Sequence, residues 1–262
     1  AAAYGDSEQI IGKSLTDGRS NKLKVVSKLL PFNEKELSEK NALSLSLKVR
    51  NSFLQSCENL KVDHLDTFML HHAQQLNITY IFNELKRLRE EGLINCIGAS
   101  VQSPQELELV LRNQDVSLIQ MPYNILDYRW KAMIDVIKHE REKRSLIIHA
   151  RSVFLQGLLC SDDSNKWQIA GIDNSGEIIS WLETMYKQHK KMSIADLCIS
   201  YVNSQEWIDS VVIGVDSEKN LFSNLQSISM PLMSNEALDD LTSSRPFVNA
   251  KALNPATWKI NV

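Results

Sequence analysis

The chain has 262 residues, is 43% hydrophobic and 23% charged, and carries a formal net charge of -3 with a pI near 6.1. Those values suit one large soluble domain and give no electrostatic footprint for nucleic acid. No apolar run reaches membrane-spanning length and no signal peptide is visible, while Cys57, Cys96, Cys160 and Cys198 lack metal-ligand spacing, which together fit a reducing cytoplasm without structural zinc.

The opening, AAAYGDSEQIIGKSL (1–15), reads as a turn inside a longer pattern. Six short β-like runs follow, each leading into a stretch of helical periodicity. LKVVSKL (23–29) precedes a helical pattern over 38–60. HLDTFMLHHA (64–73) precedes one over 79–93, with Gly92 as its C-terminal cap. INCIGAS (94–100) precedes SPQELELVLRN (103–113), where Ser103 is a natural N-cap and Pro104 the first helical residue.

VSLIQMPYN (116–124) leads to a helix over 129–144, and SLIIHARS (145–152) to a loop and two helices, 175–190 and 193–204. The basic run KQHKK (187–191) falls at a helix end and reads as solvated. DSVVIGV (209–215) precedes the last pattern, 217–228. Cys96 and Cys198 sit in apolar runs and read as small buried hydrophobes.

Strands apolar on successive residues, alternating with helices, imply a parallel sheet covered on both faces. An open doubly wound sheet would usually carry a Gly-rich phosphate loop, and none is present among nine glycines. A closed α/β barrel, (β/α)8, is therefore favoured, as one domain over 1–262. It needs eight strands, so the first one to two are expected to precede residue 1. Chemistry in such a barrel sits at the C-terminal strand ends. The runs end in Lys28, His71 with His72, Ser100, Gln120, Arg151 with Ser152, and Gly214. A polar group or glycine at every strand end favours a small-molecule enzyme.

In this order the motifs resemble those of the aldo-keto reductases, NAD(P)H-dependent (β/α)8 barrels. The opening is similar to the tail of the family's Asp-Thr-Ala-x-x-Tyr-Gly-x-Ser-Glu motif, and VVSKL to its strand ending in lysine. LKVDHLDTFMLHH, LREEGLINCIGAS, IQMPYNILD, ARSVFLQGLL and VVIGVDSEKNLFSNL resemble the later elements. The resemblance implies Tyr4 as proton donor to a carbonyl oxygen, Lys28 as the cation lowering its pKa, and His71 as the group orienting the carbonyl, ahead of His72. A phenol titrates near 10 unperturbed, so a neighbouring ammonium makes it a competent acid near neutrality. The family's fourth catalytic group, an aspartate five residues before the tyrosine, would precede residue 1, so weak activity is expected of this chain alone.

The resemblance further implies Ser100 and Gln120 at the nicotinamide carboxamide, with Val101 where the family has asparagine. Arg151 stands where an aromatic usually stacks on the nicotinamide ring. A guanidinium stacks on planar rings, and this reading ranks ahead of a contact with an anionic substrate or phosphate. Ser152 follows it, and Gly214, Ser217 and Asn224 match the segment holding the adenosine end. Lys219 is the one basic residue there, beside Asp216 and Asn220. The cofactor implied is NADP(H), with NAD(H) as the alternative. The implied function is reduction of an aldehyde, ketone or sugar-like carbonyl by hydride transfer. The competing reading is a non-catalytic nucleotide-binding regulatory or scaffold protein on the same fold. Metal, membrane and nucleic-acid partners are not expected.

Overall fold

A computed structural model describes residues 5–16, 23–33, 36 and 42–258. The chain divides into two compact units, residues 1–120 with 143–146, and residues 121–142 with 147–262.

In the first unit, α1 (Ser7–Leu15), β1 (Val26–Lys28), α2 (Ala42–Leu60), β2 (Leu65–Leu70), α3 (Thr79–Glu90), β3 (Ile94–Ser100) and α4 (Pro104–Leu111) lead to β4, whose residues Val116–Pro122 run across the unit boundary. The strands pair in parallel in chain order, β1-β2-β3-β4. Parallel neighbours need a crossover, and the intervening helices supply it. Leu65, Phe68, Met69, Ile97, Ala99 and Val116 are fully buried, as the apolar runs require. Phe53 of α2 meets Phe68 of β2 edge to face at 5.8 Å.

Local signals behave as their chemistry dictates. Ser103 Oγ accepts from the Glu106 amide at 3.3 Å, with Pro104 at the first helical position. Gly92 takes φ +74 just past α3, where a side chain would be strained. Arg144 donates to the Leu111 carbonyl at 3.1 Å and the Val116 carbonyl at 2.6 Å, tying the end of α4 to the start of β4.

One element departs from the sequence reading. The opening is helical from Ser7, although its pattern reads as a turn. Its buried residues Glu8, Gly12 and Leu15 recur at helical spacing. A nine-residue helix has little stability of its own, so packing against α2 accounts for it. The approach is close: a Cβ at Gly12 would lie 2.2 Å from the Asn59 carbonyl oxygen.

In the second unit, β5 (Ile147–Arg151) pairs in parallel with β6 (Ser210–Val211), and the Tyr123 amide just past β4 donates to the Arg151 carbonyl at 2.9 Å. Among the described residues this unit holds six α-helices: α5 (Lys131–Lys143, its last residue in the first unit), α6 (Ser164–Ile169), α7 (Ser175–Gln188), α8 (Ile194–Asn203), α9 (Glu218–Ser229) and α10 (Asn235–Ser244). Residues Asp196 to Val202 of α8 are all buried, so this helix is a core element. Its start is capped: Ser193 Oγ accepts from the Asp196 amide at 3.1 Å, and Asp196 Oδ2 accepts from the Met192 amide, one residue ahead of the cap, at 2.9 Å. Cys198 is buried, whereas Cys96 of the first unit is only half-buried. By contrast α9 leaves Leu221, Phe222, Leu225 and Ile228 exposed. Among the described residues no helix is long and apolar enough to cross a membrane.

Candidate active site

Strand register alone puts the polar residues of the first unit on one face. Lys28 lies opposite Met69, Met69 opposite Gly98, Gly98 opposite Leu118, and Ser100 opposite Gln120. Opposed residues and residues two apart share a face. Lys28, Ser100 and Gln120 therefore project from the same side, at the C-terminal ends of their strands. His71 stands two residues past Met69, in phase with them. Ser100 and Gln120 are buried, while Lys28 and His71 are half-buried.

Lys28 Nζ donates to Gln120 Oε1 at 2.6 Å. Three strand spacings separate β1 from β4, about 14 Å across a flat sheet. Side chains rising perpendicular from a flat sheet would stay that far apart, so these four strands curl toward the face that carries both.

The two histidines divide by local chemistry. Gln75 Oε1 accepts from the His72 backbone amide at 3.1 Å at the start of the short 3-10 turn Ala73–Asn77, and the His72 side chain is exposed. The His72 backbone is thus tied to the turn. The His71 ring lies 5.0 Å away, tilted by 47°.

On the opposite face of β1, Ser27 Oγ donates to Glu8 Oε1 at 2.5 Å. Ser56 Oγ donates to the same oxygen at 3.0 Å and Asn59 Nδ2 to Glu8 Oε2 at 3.3 Å. Glu8 is 1% exposed. It anchors α1 to the residue next to Lys28 and to α2, a role that spacing within the opening motif does not reveal. Tyr4 lies outside the described residues.

In the second unit, Arg151 ends β5 half-buried, its Nη1 donating to Ser152 Oγ at 3.3 Å. The loop beyond is strained. Ser152, Leu155 and Gln156 take φ of 60, 47 and 57, and Gly157 takes 82. Left-handed backbone at non-glycine residues is held only where surroundings enforce it, and such strain gathers at functional sites. Neither leucine nor glutamine advertises that conformation, so no residue type there signals it. Gly214 is exposed in the loop after β6, and Ser217 caps α9 by accepting from the Asn220 amide at 3.2 Å. Asn224 follows, half-buried, in the second turn of α9. Asp216 accepts from the Asn220 side-chain amide, so those two polar groups satisfy each other.

A second tyrosine near a strand end is a poor acid. Tyr123 is buried with its hydroxyl 3.1 Å from that of Tyr201, and burial first, then the Tyr201 hydroxyl, push its phenol well above the ordinary value.

Comparison with known proteins fits this geometry. The family model described as "Aldo/keto reductase family" matches residues 1–244. The uncharacterized oxidoreductase YqkF of Bacillus subtilis (strain 168) is 20% identical over 202 residues, 74% of this chain and 65% of that protein. L-galactose dehydrogenase of Arabidopsis thaliana is 23% identical over 220 residues, 80% of this chain and 66% of that protein. The matches thus span slightly under two thirds of these relatives. Among solved structures, the holo form of aldo-keto reductase AKR11C1 from Bacillus halodurans superposes with a TM-score of 0.69 at 18% identity, over 94% of this chain and 80% of that one. An aldo/keto reductase from Klebsiella pneumoniae in complex with NADP and acetate gives 0.67 at 16% identity, over 92% and 76%. The fold class is accordingly α/β, of the (β/α)8 kind those reductases share.

Proposed function

We propose a carbonyl reductase activity for this chain, which belongs to the aldo/keto reductase family. The whole chain acts as one catalytic domain that reduces an aldehyde, ketone or sugar-like carbonyl with a hydride from NADP(H), or from NAD(H). The observation that carries the reading is the shared face: Lys28, Ser100 and Gln120 at three strand ends, with Lys28 in contact with Gln120 across the curl of the sheet. The sugar-like substrate class has support from a relative named L-galactose dehydrogenase, and NADP from the Klebsiella complex.

The residues suit a nicotinamide nucleotide. A buried side-chain amide, Gln120, beside buried Ser100 offers a carboxamide complementary hydrogen bonds. Half-buried Arg151 offers a planar cation for the ring. Gly214, Ser217 and Asn224 receive the adenosine end, where Ser152 also contributes. The bound nucleotide supplies the hydride. Tyr4 donates the proton to the carbonyl oxygen, Lys28 stabilises the phenolate that results, and His71 orients the carbonyl.

The test is loss of reduced-nicotinamide absorbance with a panel of aldehydes, ketones and aldoses. Tyr4→Phe lowers kcat about 10²- to 10⁴-fold. Nucleotide binding without turnover, unaffected by Tyr4→Phe, would instead favour a non-catalytic nucleotide-binding protein.

A further inference from the structure

We infer that the exposed face of α9 docks a second copy of this chain, the two α9 helices packing antiparallel about a two-fold axis beside Leu225. This face lies wholly in the second unit.

A surface helix of a soluble domain turns its apolar stripe inward and its charges outward. Helix α9 does the reverse. Its one buried residue is Ser227, while Leu221, Phe222, Leu225 and Ile228 are 40–61% exposed. At about 100° per residue, Leu221, Leu225 and Ile228 fall within about 60° of one another, with Phe222 on their flank and Ser227 turned away. The chain is 23% charged, yet residues 220–235 carry no charged side chain. Nucleic acid and membrane surfaces call for a basic polar face, and Lys219 is the only basic residue of α9.

An uncharged apolar stripe is matched by another such stripe, and α9 itself supplies one. The steps of four and three, from Leu221 to Leu225 to Ile228, are those of a helix-pairing seam. In an antiparallel pair Leu225 meets Leu225 of the partner subunit, and Leu221 and Phe222 meet Ile228 of the partner subunit. Opposite ends of the helix dipoles then lie together.

Area decides how far the contact extends. The four α9 side chains expose about 400 Å², at roughly 200 Å² for a fully exposed large side chain. A specific interface takes about 800 Å² from each partner. Val212 and Val215 before the helix, with Met230 and Leu232 after it, are 38–64% exposed. They raise the total to about 750 Å², above the largest patch of a typical monomer. The docking face therefore runs from Val212 through α9 to Leu232. β6, just ahead of it, has β5 as its one strand neighbour among the described residues, and sheets cover such edges.

Sedimentation velocity and light scattering on the full chain test this between about 1 and 100 μM. Wild type is expected to pass from the 29.8 kDa monomer to twice that mass, with a Kd of about 1–10 μM. Leu225→Glu and Leu225→Lys each set like charges at the axis and raise Kd about a hundredfold or more. Mixing the two variants restores a dimer, because opposite charges then face each other. Leu225 is half exposed, so both keep the wild-type Tm. Leu225→Ala, about tenfold weaker, carries the test if a charged variant fails to fold.

A wild type still at 29.8 kDa at about 100 μM overturns the inference and leaves the face to a different chain. So does a dimer that neither Leu225→Glu nor Leu225→Ala weakens, since the contact then lies elsewhere. Assemblies larger than two, or folded charge variants that stay monomeric when mixed, rule out the two-fold axis at Leu225.

Discussion

Ser27 donates to Glu8 at 2.5 Å, and through that bond the first helix of the chain is fastened to the strand that ends in Lys28. Three donors from β1 and α2 converge on one buried carboxylate. The arrangement leaves no room for a neutral apolar substitute without stranding hydroxyls.

Replacing Glu8 by alanine is expected to destabilise the chain by about 2–4 kcal/mol, because Ser27, Ser56 and Asn59 lose their shared acceptor in a dry site. Glu8→Gln keeps one acceptor oxygen and falls between. Urea denaturation measures both. An alanine variant within about 0.5 kcal/mol of wild type is incompatible with the anchoring role.

Gly12 sets a second test on the same helix. Alanine has the higher helix propensity by about 1 kcal/mol, yet its Cβ would lie 2.2 Å from the Asn59 carbonyl oxygen and 2.9 Å from Leu60 C. Both are backbone atoms, which do not move aside cheaply, so the clash outweighs the propensity. Gly12→Ala should lower stability by about 1–3 kcal/mol in a thermal or urea melt. A more stable variant would mean α1 is free to shift away from α2.

These contacts mark where the sequence stops being legible. Ser103, Pro104 and Gly92 are read correctly because caps depend on neighbours three or four residues away. β3 runs over 94–100 as its apolar pattern requires, because a strand buried on both faces leaves a continuous signature. β6 shrinks from the expected 209–215 to Ser210–Val211, since an apolar run records burial tendency and not pairing. Helix α1 escapes because Glu8 looks like a surface residue until its three donors are seen. At the site, two-residue periodicity gives the face shared by Lys28, Ser100 and Gln120. The Lys28–Gln120 bond spans 92 residues and depends on curvature, which no local pattern encodes.

The cap at α4 gives a smaller, cleaner prediction. Ser103→Ala removes the acceptor for the Glu106 amide and should cost about 1 kcal/mol, with Ser103→Asp close to wild type. Equal urea midpoints for Ser103→Ala and wild type would show that Gln102 and Glu106, whose own bond spans the same turn at 2.7 Å, suffice.

His149 on β5 makes stability depend on pH. Burial holds its imidazole below the ordinary 6.5, with Asp209 pulling weakly the other way. The unfolded chain then binds the proton more readily than the folded one. His149 stays neutral and harmless above about pH 6.5, and its contribution to stability is lost as pH falls through that value toward the lowered folded pKa. Urea midpoints measured from about pH 7.5 to about 5.5 should fall more steeply in wild type than in His149→Leu. Parallel slopes would remove His149 from the account.

The proposed stacking of Arg151 on a nicotinamide ring would make nucleotide binding depend on oxidation state. Its guanidinium is half-buried at the end of β5, bonded to Ser152, where the left-handed loop begins. A cation stacked on the nicotinamide ring is neutral toward the reduced form and repelled by the positive charge of the oxidised one. Wild type should therefore hold NADPH more tightly than NADP. Replacing Arg151 by phenylalanine keeps a stacking plane and removes the charge, so affinity for the oxidised form rises about five- to tenfold while that for NADPH changes little. Arg151→Met loses both, weakening NADPH and narrowing the ratio. If Arg151 instead meets a phosphate, Phe and Met weaken both oxidation states alike, since the phosphates carry the same charge in each. The ratio of the two affinities, measured across the three chains, separates the roles without any substrate.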